Sequence, residues 1–426
     1  MNYIEKMLQD YCPNGVEWKE LGEVCNVVTD FTAAGSFASN AKNVKYLKEP
    51  NFAQLIRTTD LKSKFQGNKF IYVDEHAFNY LHRVNLNEDS LILPNVGNCG
   101  EIYYLQPSDL PSDNNVLGPN ALLIRSNMAD NRYLYHLFLD SKFQSDLEKI
   151  TSKTGQTKFN KTNLKKILIP IPPLEIQEEI VKILDKFTEY VTELTAELTD
   201  RQKQYSFYRD KLLSFEDEVY RVEWKTLGEV CGVYDGTHQT PKYTNVGIPF
   251  VSVENIKNLY ETEKYISKED YSKYKIKPQK DDVFMTRIGD IGTCTVVDRD
   301  DKLAYYVSLA LLRPDKAILN SVYLKFFIES THGRRELNRL ILHNATPIKI
   351  NKGDIGKIKI AIPPLPIQES IVQVLDNFDA VCNDLSIGLP KEIELRQKQY
   401  EYFREKLLTF TAEGVYHWTV SGDRPT

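Results

Sequence analysis

The chain is written twice, and any fold it adopts must respect that. Val16-Glu17-Trp18-Lys19-Glu20-Leu21-Gly22-Glu23-Val24-Cys25 recurs as Val222-Glu223-Trp224-Lys225-Thr226-Leu227-Gly228-Glu229-Val230-Cys231, at an offset of 206. Ile171-Pro172-Pro173-Leu174-Glu175-Ile176-Gln177-Glu178 recurs as Ile362-Pro363-Pro364-Leu365-Pro366-Ile367-Gln368-Glu369, at an offset of 191. Arg201-Gln202-Lys203-Gln204-Tyr205 recurs as Arg396-Gln397-Lys398-Gln399-Tyr400, at an offset of 195. Three matches in the same order mean two copies of one module of about 200 residues. The offsets make the first globular segment 15 residues longer than the second (206 against 191) and the second helical segment four longer than the first (195 against 191). Elsewhere the halves diverge. A shared scaffold carrying two different inserts explains this, and neutral drift of loops also fits.

After each Pro-Pro pair a heptad pattern begins. In the first copy it runs through Ile180, Leu184, Phe187, Val191, Leu194, Leu198, Tyr205, Tyr208, Leu212 and Phe215, with Arg201 the one polar seat. Steps of four and three over this length predict a coiled-coil helix. From Glu175 to Phe215 it would span about 60 Å, which implies a partner helix. The second copy offers one: Ile371, Leu375, Phe378, Cys382, Leu385, Leu389, Ile393, Tyr400, Phe403, Leu407 and Phe410. Two successive steps of four between Leu385 and Ile393 mark the four-residue insertion, and Gly388-Leu389-Pro390 there predicts a kink or break. Two similar helices can pair antiparallel about a pseudo-twofold axis; two independent amphipathic helices would show the same pattern. Val191-Thr192-Glu193-Leu194 and Thr195-Ala196-Glu197-Leu198 are near-repeats of one four-residue unit. Each unit adds about 6 Å and slightly more than one turn. The tail repeats another fragment, Val415-Tyr416-His417-Trp418 echoing Val219-Tyr220 and Trp224, which suggests that it completes the first globular unit.

Each globular segment reads as short β-type runs broken by Gly, Pro and Asn, followed by one helix near Asn131–Ile150 and Ser321–Ile341. The predicted class is α+β, with two mixed α/β domains of antiparallel strands. Polar turn segments recur at matching places. The first copy has Arg57 and Thr58, then Asn95 and Asn98, then Lys153, Gln156 and Lys158. The second has Asp235, Thr237, His238, Gln239, Thr240, Lys242 and Tyr243, then Asn255 and Lys257, then Thr286 and Arg287, and finally Lys349. Arg suits guanine, and Asn or Gln suits adenine, through paired hydrogen bonds. Ser, Thr, Lys and backbone amides suit phosphates. The same residues also build ordinary surface turns. On the helices, Gln177, Glu178, Gln368 and Glu369 are candidate exposed contacts for a partner, though capping explains them equally.

Motifs for chemistry in the chain itself are missing. No GxxxxGK[ST] occurs, and neither Gly97-Asn98-Cys99-Gly100 nor Gly289-Asp290-Ile291-Gly292 fits GxGxxG. Isoleucine precedes both Pro-Pro pairs, so the polar Asn/Asp-Pro-Pro-aromatic motif of amino-methyltransferases is absent. His238 lies near Asp235, but no nucleophile elbow accompanies it. The net charge of −5 over 426 residues argues against a protein that coats nucleic acid by bulk charge. The six cysteines, at 12, 25, 99, 231, 294 and 382, form no CxxC pair. They suit neither a zinc knuckle nor a redox motif, and point to a reducing cytosol. The N-terminus has no apolar signal core, and no apolar run is long enough to span a membrane.

Taken together, the Pro-Pro-Leu-x-Ile-Gln-Glu stretches at 171–185 and 362–376, the two Arg-Gln-Lys-Gln-Tyr helix ends, and the Asp235–Tyr243 and Val253–Lys257 segments are recognisable. Along essentially its whole length the chain resembles the specificity subunit of type I restriction–modification systems. Thr195–Leu198 and Gly388-Leu389-Pro390 resemble the type IC branch. The resemblance implies a first target-recognition domain over 1–165, a helical spacer over 166–216, a second such domain over 217–357, a second spacer over 358–411, and a tail over 412–426. It implies two readers, each taking half of a bipartite site in double-stranded DNA, on helices that act as a ruler and dock two modification subunits. Those would bring S-adenosylmethionine for adenine methylation, and restriction subunits would bring ATP, Mg and cleavage; this chain would need no cofactor of its own, and the expected location is cytoplasmic. Half-sites read from one face lie roughly 10 bp apart centre to centre, so the unread spacer would be roughly 6–7 bp. A catalytic nuclease or methyltransferase with degenerate motifs, and a protein-only coiled-coil scaffold, remain the rival readings.

Overall fold

The computed structural model describes residues 3–153, 155–215 and 222–410. The tail over 412–426, expected near the first domain, lies outside them. The chain forms two compact units. One runs up to Thr192 and resumes at Leu395, and the other is Glu193–Glu394. The divisions fall inside the helices, away from the ends of the globular segments. Each unit thus owns one globular segment, the adjoining half of its own spacer helix and part of the other copy's.

In the first unit Glu17–Glu20 pairs antiparallel with Leu168–Ile171, setting Trp18 opposite Pro170. This ribbon ties the two ends of the globular segment together. Between them lies a four-stranded antiparallel sheet in the order Val27–Asp30, Ala121–Arg125, Ser90–Pro94, Tyr103–Leu105. A second sheet sets Ala53–Ile56 between Ile71–Val73 and, in parallel, Asn115–Leu117. The central strands are unbroken apolar runs such as Leu91-Ile92-Leu93 and Leu122-Leu123-Ile124, and all six residues are buried. Such runs suit strands covered on both faces.

The second unit repeats the plan. Glu223–Thr226 pairs with Lys359–Ile362. The four-stranded order is Cys231–Asp235, Leu309–Pro314, Val283–Thr286, Cys294–Val296. A second sheet again joins a parallel pair, Ile248–Val251 with Ala304–Tyr305. The expected mixed α/β domains and their duplication are therefore present.

One expectation needs correcting. Each single helix after the sheets is two: Asn131–Leu139 and Ser141–Lys149, then Ser321–Glu329 and Thr331–Asn338. Asp140 and Ser330 sit in extended backbone between them, ending one helix and capping the next. Asp and Ser favour such caps because the side chain accepts from orphan amides.

Leu174–Ser214 is a continuous helix of 41 residues. The second copy is broken as expected, into Leu365–Asn383 and Leu389–Leu408. Asp384 accepts from the amides of Ser386 and Ile387, and the Gly388 amide donates to Asp384. A Cβ at Gly388 would lie 2.6 Å from the carbonyl oxygens of Ala380 and Asp384, so only glycine fits. Leu385, expected in the seam, is in this turn and exposed. The helices meet in reversed order. Phe187 stacks on Phe403 in the first unit, and Tyr208 on Phe378 in the second. Ile180 and Leu184 are buried as expected, whereas Leu213 is buried near the far end and Leu212 only half-buried. Among the described residues no helix is long and apolar enough to cross a membrane.

Gln177 and Gln368, expected at the surface, are buried, with exposures of 1% and 0%. Gln177 Oε1 accepts from the amide of Asp130 at 2.9 Å, and its Nε2 donates to the Pro172 carbonyl at 2.7 Å. Gln368 Oε1 accepts from the amide of Asn320 at 2.8 Å, and its Nε2 donates to the carbonyls of Ile318 and Pro363. Asp130 and Asn320 are the N-caps of the domain helices. Each glutamine therefore staples the first turn of a spacer helix to its domain. Tyr133 and Tyr323 tighten the joint by donating to the carbonyls of Pro170 and Ala361. Glu178 and Glu369 are exposed.

The copies differ at the next layer. In the first unit Asp185 accepts from Arg132 Nε and from His136 Nε2, both at 2.7 Å, and His136 Nδ1 lies 3.0 Å from the Tyr400 hydroxyl. Burial lowers the His136 pKa, and the two donors hold Asp185 below its ordinary range. The imidazole is then neutral, donating to the carboxylate and accepting from tyrosine. In the second unit a plain ion pair, Lys325–Asp379 at 3.5 Å, lies between the corresponding helices.

Two predictions follow from these joints. Gln368→Leu leaves one amide and two carbonyls unsatisfied and should destabilise the second unit by about 2–3 kcal/mol in urea unfolding. His136, with a folded pKa below its unfolded value of about 6.5, loses stability as pH falls below that value. His136→Phe should flatten the stability loss between about pH 6.5 and 5 relative to wild type.

Candidate nucleic-acid interface

Both units present the same pair of loops beyond the four-stranded sheet. In the first, the loop after Ser90–Pro94 meets the loop after the helix pair. Val96 bridges Lys158, the Gly97 amide donates to the Thr157 carbonyl at 2.8 Å, and the Phe159 amide donates to the Asn95 carbonyl at 3.2 Å. In the second, Ile288 bridges Lys349, the Gly289 amide donates to Ile348 at 3.0 Å, and the Ile350 amide donates to Arg287 at 3.0 Å. Gly97 and Gly289 have φ of 87° and 78° with open space beyond them. The left-handed backbone requires glycine, and the tip stays clear for a large ligand.

These loops gather several of the expected residues. Asn98, Lys153, Gln156 and Lys158 are exposed in the first unit, and Lys349 in the second. Lys153 pairs with Glu148 at 2.5 Å. Beside the second loop pair runs the turn from Asp235 to Tyr243. Its start is fixed by the Thr237 amide donating to Tyr305 and the Val307 amide donating to Thr237. Thr237 is half-buried, while His238, Gln239, Thr240, Lys242 and Tyr243 are exposed. His238 Nε2 is 3.7 Å from Asp235 Oδ2. Tyr243 lies edge-on to Phe250, with centroids 5.6 Å apart. Lys257 is also exposed.

Other expected readers are committed to the fold. Thr286 and Arg287 are buried. The Arg287 guanidinium pairs with half-buried Asp235 and donates through Nε to the Ile350 carbonyl at 3.2 Å. It is a latch across the sheet end and is not free to face a guanine. Arg57 makes its two-pronged contact with Asp60, at 2.9 and 2.7 Å, and donates to the Lys69 carbonyl, with Thr58 half-buried beside it. Asn255 turns inward, accepting from the Ser252 amide and donating to the Glu261 carbonyl. Asn95 is half-buried, with its Oδ1 buried and unbonded.

One duplicated surface was not expected as a surface: the heptad pattern places two of its aromatic residues, Tyr208 and Phe403, in the helix seams. Phe207 and Tyr208 lie edge to face at 5.4 Å, as do Tyr402 and Phe403. All four are more than a third exposed. Phe207-Tyr208 and Tyr402-Phe403 stand two residues beyond the Arg-Gln-Lys-Gln-Tyr repeats, a placement that could have revealed them.

Comparison with known proteins agrees with this duplicated arrangement. A family model described as the type I restriction modification DNA specificity domain matches residues 13–202 and again 221–395. A Haemophilus influenzae protein named as a type I restriction enzyme specificity subunit is 29% identical over 423 residues, covering 96% of this chain and 98% of its own length. The EcoR124I/EcoR124II specificity subunit of Escherichia coli is 37% identical over 264 residues, covering 58% of this chain and 63% of its own. Among solved structures, the type I restriction–modification S subunit from M. genitalium has a TM-score of 0.55 at 13% identity, over 93% of this chain and 97% of that one. A chain from a study of complex assembly in the type I system has a TM-score of 0.60 at 19% identity, over 93% and 98%. With the family model matched twice along most of its length, the chain belongs to the specificity subunits of type I restriction–modification systems, the components through which those systems recognise DNA.

Proposed function

We propose that this subunit reads a bipartite target in double-stranded DNA, one half-site per globular unit. The observation that carries this is the repeated loop pair. One scaffold holds two glycine-tipped loop pairs with an equivalent lysine, Lys158 or Lys349, and unlike exposed side chains around it: Asn98 and Gln156 in one copy, and the adjoining His238–Tyr243 turn together with Lys257 in the other. Like scaffold with unlike readers is what two different half-sites require. The lysines suit phosphates, and the amide and imidazole groups suit base edges. With one turn of B-DNA between half-site centres, the unread spacer is roughly 6–7 bp.

The duplication also supports two docking places for modification subunits. The aromatic pairs Phe207–Tyr208 and Tyr402–Phe403 offer equivalent apolar contacts, and exposed Glu178 and Glu369 offer equivalent charges. Exposed aromatic residues of this kind are enriched at protein interfaces. The docked subunits bring S-adenosylmethionine and methylate adenine, and restriction subunits add ATP- and Mg-dependent cleavage. A net charge of −5 suits a subunit that reads locally while its partners supply much of the electrostatic grip. The four-residue units at 191–198 and the break at Gly388 favour the type IC branch.

Methylome sequencing of a host carrying the system should yield an interrupted motif of two half-sites; a continuous motif would contradict the two-reader account. One further Thr-Ala-Glu-Leu unit after Leu198, which adds slightly more than one helical turn, should lengthen the gap by about one base pair with the half-sites unchanged. In DNA titrations by the assembled complex, Lys158→Ala or Lys349→Ala should weaken binding to all sequences alike and reduce the salt slope by about 1.

A further inference from the structure

A cleft of about 560 Å³ in the second unit is lined by four arginines and one carboxylate. Arg209 comes from the spacer helix, and Arg334, Arg335 and Arg339 come from Thr331–Asn338 and the turn after it. The carboxylate is Glu329, which accepts from the Cys294 amide at 2.9 Å. The guanidiniums are held in place with donors to spare. Each has five N–H groups. Arg334 uses Nη1 on the Ile291 carbonyl and Arg339 uses Nη1 on Glu336, which leaves Nε and Nη2 of each. Arg335 is exposed and has no hydrogen bond or ion pair among the described residues. Arg335 and Arg339 stand four apart, a like-charge spacing that destabilises a helix.

The first copy shows that the fold does not need this charge. Asp210 grips Thr331 as Glu405 grips Ser141, so the nine positions from Thr331 correspond to the nine from Ser141. Arg334 corresponds to Gln144, whose Nε2 donates to the Gly100 carbonyl at 3.0 Å and anchors the equivalent loop without a charge. Arg335 corresponds to Ser145, Asn338 to Glu148 and Arg339 to Lys149. Over these nine positions Lys142 and Lys149 cancel Asp146 and Glu148 in the first copy, whereas three arginines stand against one glutamate in the second, a net +2. The cleft adjoins the reading loops. Ile291, on which Arg334 rests, follows the glycine tip at 289, and Arg339 stands three residues before Leu342, which bridges Lys349. The exposed aromatic pair is kept in both copies, as a subunit docked twice would require; the arginine cluster is not. It diverges as the reading side chains do, which favours an anion belonging to one half-site over a carboxylate of a twice-docked partner.

We propose that this cleft clamps a backbone phosphate of the DNA beside the second half-site, with Arg334, Arg335 and Arg339 donating to its oxygens. Guanidinium forks match pairs of phosphate oxygens and stay charged at physiological pH. The contact carries no base information. It fixes how the duplex lies against the second reader, and the first reader lacks it. The inference rests on the globular units being DNA readers.

The complex with its modification subunits is titrated with its target over a range of salt. Arg334→Gln combined with Arg335→Ser installs the first copy's residues, which keep an anchor on the loop. The slope of log affinity against log salt should fall by about 1, and binding to target and non-target DNA should weaken alike, with the methylated motif unchanged. Arg335→Ala alone, at an exposed position without a partner, should move both readouts in the same direction and guards against a folding artefact. Neutral methylphosphonates placed one at a time should locate the contact: one or two adjacent positions beside the second half-site weaken binding by the wild type and not by the double variant, and no position beside the first half-site does so. An unchanged salt slope, or methylphosphonate losses equal in wild type and variant at every position, would overturn the inference while leaving sequence-specific binding intact. So would variants that assemble poorly with modification subunits yet, once assembled, bind DNA as the wild type does; the arginines would then serve a partner's carboxylates. A wild-type complex without any sequence preference would overturn the reader assignment itself, and this inference with it.

Discussion

The buried amides of Gln177 and Gln368 hold this architecture together. Each ties the first turn of a domain helix to the Ile-Pro-Pro stretch that precedes a spacer helix. The carboxamide accepts from the N-cap amide of a domain helix and donates to the carbonyl of the second residue of Ile-Pro-Pro, before the spacer helix. Apolar packing is tolerant of sliding, whereas a buried amide is satisfied in one register only. A spacer helix can transmit spacing to a domain only if their joint does not slip. The Pro-Pro-Leu-x-Ile-Gln string is thus the hinge pin of a rigid joint, made twice. The Arg-Gln-Lys-Gln-Tyr string serves the other end. After its buried tyrosine, Glu405 grips Ser141 and Asp210 grips Thr331, each at the start of a domain's second helix.

Around these fixed joints the copies have diverged in ways that separate scaffold from reader. The His136–Asp185–Tyr400 chain in one unit and the Lys325–Asp379 pair in the other answer the same packing problem differently. The loop pairs keep their backbone bonds while their side chains change. Arg287 illustrates the cost of specialisation. Its guanidinium is spent on Asp235 to close a sheet end, while the neighbouring turn from His238 to Tyr243 stays exposed.

Much of this was legible in the sequence, and the rest was hidden for identifiable reasons. The duplication, the long helix and the break at Gly388 are carried by strings read in order, so one dimension sufficed. The burial of Gln177 was hidden because its partner Asp130 lies 47 positions upstream, and an amide on a polar helix start looks the same whether it faces water or a cap. Arg287 likewise reads as a free guanidinium until Asp235, 52 positions away, is placed beside it. In the first unit the closing ribbon contains Pro170, which argues against a strand but is tolerated in a two-stranded pair; the second has Ala361 at that place. The split of each domain helix turns on one residue, Asp140 or Ser330, whose side chain caps the next turn.

The functional account depends on specificity being modular: one globular unit, one half-site, with the helices indifferent to which reader they carry. The most direct measurement is a transplant. The segment between the two closing strands of the second unit, residues 227–358, is replaced by its counterpart from a relative of known but different target, and the methylated motif is read by sequencing. The account predicts that one half-site changes to the donor's while the other half-site and the gap between them stay as they were. A change in both half-sites, or an altered gap, would show that the joints do not isolate the readers from the ruler.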